Sequence, residues 1–246
     1  MQYYFRYILG RVVAPLPVML IGTATHNGVE FAYQSIWEDN KYNKDDCADV
    51  TRDKIVHDSE IEWDKMDKAA AIDHSVSMVN EYIDRGYPEL VKQDDIVGIE
   101  LKRSIILTDK DGNTKPKIMG VADLVITDRV IDFKTSSRKK TKPDGYNYLQ
   151  NSLYAHTFGV SNTSVHHMSY KKSGAEINEY EVPIMPLSQV YMWVRGFWDK
   201  LLTIDKLGLD LKDMKKKFSP TGLVHDWACS YCGYGRSGLC KHKMEV

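Results

Sequence analysis

Two carboxylates and one amine fall close together at Asp123, Asp132 and Lys134. They lie in Gly120-Val-Ala-Asp123-Leu-Val-Ile-Thr-Asp-Arg-Val-Ile-Asp132-Phe-Lys134-Thr-Ser, which reads as two short strands around a turn at Thr127-Asp128-Arg129. Successive strand side chains point to opposite faces. Asp123, Asp132 and Lys134 are therefore expected on one face, with Ala122, Leu124, Ile126, Ile131 and Phe133 on the other. A two-residue turn is expected to set Val125 opposite Asp132 and Asp123 opposite Lys134. Like charges side by side repel, so the arrangement is costly unless a cation or a substrate uses it. Carboxylate oxygens are hard ligands suited to Mg²⁺ or Mn²⁺. A lysine one strand step away can position an attacking water and offset charge on a phosphate. An acid, then acid-x-lysine across a hairpin, is a sensible site for phosphodiester hydrolysis. The plainer alternative is a solvated strand face with one salt bridge.

The elements around this hairpin can be sketched from periodicity. A helix is expected from Gly22-Thr-Ala-Thr25-His26, with Thr25 as N-cap, His26, Glu30 and Tyr33 on one face, and Val29, Ala32, Ile36 and Trp37 on another. Residues 38–58 read as a polar loop carrying Cys47. Ser59 with Glu62 makes a capping box for a second helix striped by Ile72, Val76, Val79 and Ile83. Strands are expected over 96–107, 118–126 and 130–134, the first two joined at Asp109-Lys-Asp-Gly112. A helix from Tyr146 to Phe158 follows, then strands over 165–170 and 177–182. The last helix, from Ser188 to about Leu207, has Val190, Trp193, Val194, Phe197, Leu201 and Ile204 on its expected buried side. This order predicts an α/β fold, a mixed central sheet flanked by helices.

Bulk properties exclude little. A chain of 246 residues with 43% hydrophobic and 27% charged residues fits one globular domain. It is expected to divide into a helical part (1–95), a catalytic sheet core (96–183) and a C-terminal helix with a cysteine-bearing tail (184–246). A net charge of −1 announces no global basic field, so any nucleic-acid contact must be local. The best local candidate is Arg138, Lys139, Lys140 and Lys142, directly after the hairpin. A solvated charged loop is the plainer reading. Lys215-Lys-Lys217 is a weaker candidate. No apolar run is long enough for a bilayer, and no leader is read at the N-terminus, so no membrane association is expected. Of the four cysteines, Cys229, Cys232 and Cys240 cluster near the end, suggesting a metal or cluster site in a reducing cytoplasm.

Gly120-x-x-Asp123 followed by Asp132-Phe-Lys134 resembles the core of the PD-(D/E)XK nuclease superfamily. More closely it is similar to the RecB and AddB nuclease domains and to the CRISPR-associated exonucleases of the Cas-four type. Gly22-Thr-Ala-Thr-His26 resembles the upstream G-x-x-x-H of that group. Gln150-Asn-Ser-Leu-Tyr154 matches its Q-x-x-x-Y, and Cys229-x-x-Cys232 with Cys240 resembles its iron-sulfur triplet. The resemblance covers nearly the whole chain and implies a restriction-endonuclease-like core. It implies Mg²⁺ or Mn²⁺ held by His26, Asp123, Asp132 and the backbone carbonyl of Phe133. Lys134 would orient the water, while Gln150 and Tyr154 would contact DNA or support the lysine. Glu100 either lines the same cleft or is an edge charge, and Glu30 is a candidate second layer behind His26. That group usually places its fourth cluster cysteine before the G-x-x-x-H, where this sequence has none, so Cys47 is the expected fourth ligand of a four-iron, four-sulfur cluster. Alternatives are a zinc site completed by His242 or His225, or no metal.

The implied activity is a metal-dependent deoxyribonuclease, an exonuclease acting on DNA ends or single strands in recombination, repair or phage DNA processing. No P-loop is present, so a helicase motor would be a separate chain. The alternatives are a CRISPR adaptation nuclease that trims spacer precursors alongside adaptation proteins, and a catalytically silent DNA-binding or assembly module.

Overall fold

The computed structural model describes residues 10, 16–58, 61, 63, 66–106, 117–171 and 173–207. Among the described residues, five α-helices and five strands alternate in blocks. They are α1 (Pro17–Asp39), α2 (Lys44–Val56), α3 (Lys68–Asp84), β1 (Ile96–Ile106), β2 (Lys117–Ile126), β3 (Arg129–Ser136), α4 (Gly145–Phe158), β4 (Asn162–Lys171), β5 (Gly174–Glu181) and α5 (Leu187–Leu207).

The start signal of α1 is Pro17 in its first turn, not Thr25. Proline lacks an N–H that the first turn would leave unpaired anyway, and its fixed φ suits a helix. Thr25 instead lies buried inside the helix, where its hydroxyl donates to the Ile21 carbonyl at 2.8 Å. Asn40, in the left-handed conformation at φ 53°, stops α1.

The segment expected as a loop holds α2. Asn43 caps it by accepting from the Asp45 N–H at 2.8 Å. Asp45 and Asp46 in the first turn and Lys54 in the last complement the helix dipole. Its buried stripe is only Cys47, Ala48, Thr51 and Ile55, which explains why a polar segment hid the periodicity. α3 is capped by Asp67, which accepts from Ala70 N–H at 2.7 Å. Ser59 and Glu62 of the expected capping box lie outside the described residues, as does the expected 109–112 turn.

The sheet order is β1-β2-β3-β4-β5. All pairs are antiparallel except β3 with β4. Parallel neighbours need a crossover, and α4 supplies it. Helices α1 and α3 cover one face, with α2 packed against both, over a core that includes Ile21, Tyr33, Val79, Tyr82, Leu124 and Phe133. A smaller core, Ala122, Val125, Val130 and Tyr154, lies beneath α4. This is the expected mixed sheet flanked by helices. On α5, Val190 is buried, but Trp193 and Phe197 are 55% and 63% exposed, so the expected apolar face is only partly covered.

Gly28 marks the tightest helix contact. A Cβ there would collide with Thr51 Oγ1 and stand 3.0 Å from the Cys47 carbonyl oxygen. Overpacking of this kind costs about 1–3 kcal/mol. Gly28→Ala is expected to lower the urea midpoint accordingly, and an unchanged midpoint would mean that α1 and α2 are not seated this closely.

Candidate active site

The β2–β3 ladder holds only two paired positions, Leu124 with Ile131 and Val125 with Val130. The expected register is therefore corrected by two residues. Val125 faces Val130, and the same register puts Asp132, not Lys134, across from Asp123. Beyond Leu124 a side chain joins the strands. Asp123 Oδ2 accepts from the Phe133 backbone N–H at 2.6 Å.

β1 is irregular at the same level. Ile99 pairs with Leu124 and Leu101 with Ala122, so Glu100 stands across from Asp123. Glu100 has φ 47°, which is sterically costly for a residue with a side chain. Side-chain alternation reverses there. Ile99 packs against the main core under α1, whereas Leu101 packs into the small core under α4. No residue type announces this reversal. The Glu100 carboxylate is close enough to hold the pKa values of Glu30, Asp123 and His26 up, as a charge beside the same cleft would.

α1 reaches the notch because Gly22 lacks a side chain. A Cβ at Gly22 would stand 3.0 Å from Thr135 Oγ1. One turn further on, the His26 ring meets Phe133 edge-on, with centroids 5.9 Å apart. Its Nδ1 lies 4.0 Å from Asp123 Oδ1 and 3.9 Å from Glu30 Oε1. Burial, and next the Lys134 charge, lower the His26 pKa to about 4, leaving a neutral imidazole with a free lone pair at neutral pH.

Lys134 Nζ lies 2.7 Å and 2.6 Å from the two Asp132 oxygens. Gln150 Nε2 is 3.4 Å from Asp132 Oδ1 and donates to the Tyr154 hydroxyl at 2.9 Å. Tyr154 donates in turn to the Val121 carbonyl at 2.7 Å. Gly120 makes room for that tyrosine, because a Cβ there would stand 2.9 Å from Tyr154 Cε1. The glycine of G-x-x-D and the tyrosine of Q-x-x-x-Y are thus two halves of one contact. α4 itself is fixed by a capping box between Asp144 and Asn147. His167, which sequence reasoning passed over, pairs with Lys134 in the parallel register and lies 2.9 Å from Ser136 Oγ through Nε2.

Burial dominates the electrostatics. It raises Asp123 and Asp132 to about 6 against the opposing pull of Lys134. It also raises Glu30 to about 8, with help from Glu100. Carboxylates held back from ionising by burial and by one another ionise more readily when a cation joins them. Among the described residues, no three His, Cys, Asp or Glu side chains form a ready-made metal cage. Lys134 and the Phe133 N–H hold oxygens that a metal would share. Hard carboxylate oxygens beside a neutral imidazole nonetheless suit Mg²⁺ or Mn²⁺.

The basic loop is less free than its sequence suggests. Lys139 is paired with Glu176, and Lys140 lies 3.0 Å from Asp144. Arg138 and Lys142 are not buried. Cys47 is fully buried in the main core. Burial pushes its thiol up to about 11, and its side chain packs among core residues rather than at the surface. Cys229, Cys232, Cys240, His225 and His242 lie outside the described residues, as does Lys215-Lys-Lys217.

The family model of the PD-(D/E)XK nuclease superfamily matches residues 1–237. The chain belongs to this superfamily. The mixed sheet with flanking helices is its restriction-endonuclease-like fold. Membership makes the chain a metal-dependent nuclease by descent. A solved structure titled "Crystal structure of SSO0001" aligns over 92% of this chain and 96% of its own, with 15% identity and a TM-score of 0.44. A likeness of that size carries no argument. No curated protein matches.

The burial of Cys47 gives a direct expectation. Cys47→Ala keeps whatever iron or zinc the purified protein carries, measured by elemental analysis. Loss of one metal centre per chain would restore Cys47 as a ligand.

Proposed function

We propose that this PD-(D/E)XK protein is a Mg²⁺- or Mn²⁺-dependent deoxyribonuclease of the RecB, AddB and Cas-four type, an exonuclease working on DNA ends or single strands. The observation that carries the reading is the convergence of His26 from α1 with Asp123, Asp132 and Lys134 from β2 and β3 and Gln150 from α4.

In this reading His26, Asp123, Asp132 and the Phe133 carbonyl hold the cation. A divalent cation there supplies Lewis-acid activation of water and phosphate. Lys134, steered by both oxygens of Asp132, orients the attacking water and offsets charge on the phosphate. Gln150 keeps Asp132 directed toward the notch, and Tyr154 ties Gln150 to the β2 backbone. Glu30 and Glu100 stand behind His26 and Asp123. Arg138 and Lys142 meet the phosphate backbone. The triplet Cys229, Cys232 and Cys240 carries a structural iron-sulfur or zinc centre in the same reading.

End-labelled single- and double-stranded DNA incubated with Mn²⁺ or Mg²⁺ tests the assignment. Lys134→Ala is expected to reduce cleavage by about 100-fold or more. Equal degradation by the two proteins sinks the role of Lys134, and discrete internal fragments instead of progressive shortening sink the exonuclease mode.

The cation assignment has its own readout. Asp123 and Asp132 have raised pKa values, whereas His26 and His167 are lowered to about 4, so their effects on stability oppose each other at acid pH. Above the unfolded histidine range Glu30 dominates, because its folded pKa of about 8 exceeds the unfolded value. The folded chain then holds the extra proton, so metal-free stability falls as pH rises from about 6.5 to about 8. Millimolar Mn²⁺ is expected to raise Tm more at about pH 8 than at about pH 6.5. No Tm shift at either pH would remove the metal from this cleft.

A further inference from the structure

Beyond Glu100 and Asp123, β1 and β2 continue as a two-stranded ribbon to Ile106 and Lys117. One face of that ribbon is covered by α4. Leu101 and Ala122 belong to the core around Tyr154, Gly120 lies under the Tyr154 ring, and the Arg103 guanidinium stands 5.4 Å over the Phe158 ring. The opposite face carries three cross-strand pairs: Lys102 with Val121, Ser104 with Met119, and Ile106 with Lys117. Directly opposed residues in an antiparallel pair share a face. All six are exposed, with Met119 at 60%, Ile106 at 55% and Val121 at 37%.

Three apolar side chains in a row on an open sheet face are a liability unless something covers them. The strip has two features that name its occupant. It starts two register positions from Glu100 and Asp123, with only Leu101 and Ala122 between, so it is continuous with the candidate active site. It also carries Lys102 beside Val121 at the near end and Lys117 beside Ile106 at the far end, a cationic frame around an apolar centre. We propose that this face is a track that holds a single DNA strand where it enters the cleavage centre.

The chemistry favours a single strand over a duplex. Unpaired bases expose flat apolar faces that pack on side chains such as Met119 and Val121, while lysines take the phosphates. A duplex hides those faces and offers charged backbone, which would bury the apolar strip against phosphates. From Leu101 to Ile106 the ribbon spans about 17 Å at about 3.3 Å per residue, long enough for a few nucleotides. The lysines also offset the acidic notch formed by Glu100, Asp123 and Asp132, which would repel an approaching phosphate backbone. The proposal rests on the nuclease reading for the identity of its ligand.

Fluorescence anisotropy of the full chain carrying Lys134→Ala, with a labelled oligothymidylate and a hairpin duplex as probes, tests the track. Met119→Asp is expected to weaken single-strand binding by about tenfold or more and duplex binding by less than about twofold. Lys102→Ala with Lys117→Ala is expected to reduce the salt slope of single-strand binding by about 1.4, the value for two phosphates. These two exposed lysines carry the test if Met119→Asp lowers Tm. Unchanged affinity and salt slope, or equal losses for single strand and duplex, overturn the proposal. The companion cleavage assay with Lys134 intact separates the readings. A chain that cuts no DNA yet loses single-strand affinity in the variants keeps the track and loses the nuclease reading. A chain that cuts DNA with unaltered affinity in the variants loses the track alone.

Discussion

The hydrogen bond from the Phe133 N–H to the Asp123 carboxylate is the contact on which the site depends. A carboxylate stands where a continuing ladder would put a backbone carbonyl. It ends the β2–β3 pairing after two positions and opens a notch between the strands. It also fixes Asp123 in line with the strands, where His26 can approach from one side of the sheet and Gln150 from the other. Burying that carboxylate is costly. The backbone N–H and the nearby Lys134 ammonium partly offset the cost.

The rest of the fold holds this opening in place. Gly22 lets α1 settle on Thr135, and Gly120 lets the Tyr154 ring settle on β2. Each is a glycine because a neighbouring atom occupies the space where a Cβ would be. Tyr154 then anchors Gln150, and Gln150 reaches Asp132. On the core side, Phe133 stacks on Tyr33 with centroids 6.1 Å apart and meets Tyr82 edge-on at 5.9 Å. The Tyr33 and Tyr82 hydroxyls are 2.8 Å apart, and Tyr82 OH lies 2.6 Å from His166 Nδ1. The residue between Asp132 and Lys134 is thus locked by an aromatic and hydrogen-bonded core, which limits the motion of its two neighbours.

The positive φ at Glu100 links the site to the ribbon beyond it. By reversing the alternation, it turns Leu101 toward α4 after Ile99 has faced the main core. The same reversal leaves Lys102, Ser104 and Ile106 facing open solvent with their partners on β2. A strained residue beside the candidate metal site therefore also decides which side chains the ribbon displays.

The sequence by itself determined the residue types of the site and their order. Asp123, Asp132 and Lys134 stood out as candidates by strand alternation and chemistry, whereas Gly22, His26, Gly120, Gln150 and Tyr154 were marked as candidates by the family resemblance. The mixed sheet and α4 were legible from periodicity, since each buries a regular face. The tertiary structure alone decided the β2–β3 register, the helix in the polar 44–56 segment, the burial of Cys47 and the backbone of Glu100. These depend on what lies across from each residue. Asp45 and Asp46 read as loop until Asn43 caps their helix and Gly28 admits it. Cys47 sits in a polar stretch of sequence, yet it is buried once α1 and α3 close over it. Local pattern specifies a residue's own preference, whereas register, burial and strain follow from partners distant in the chain.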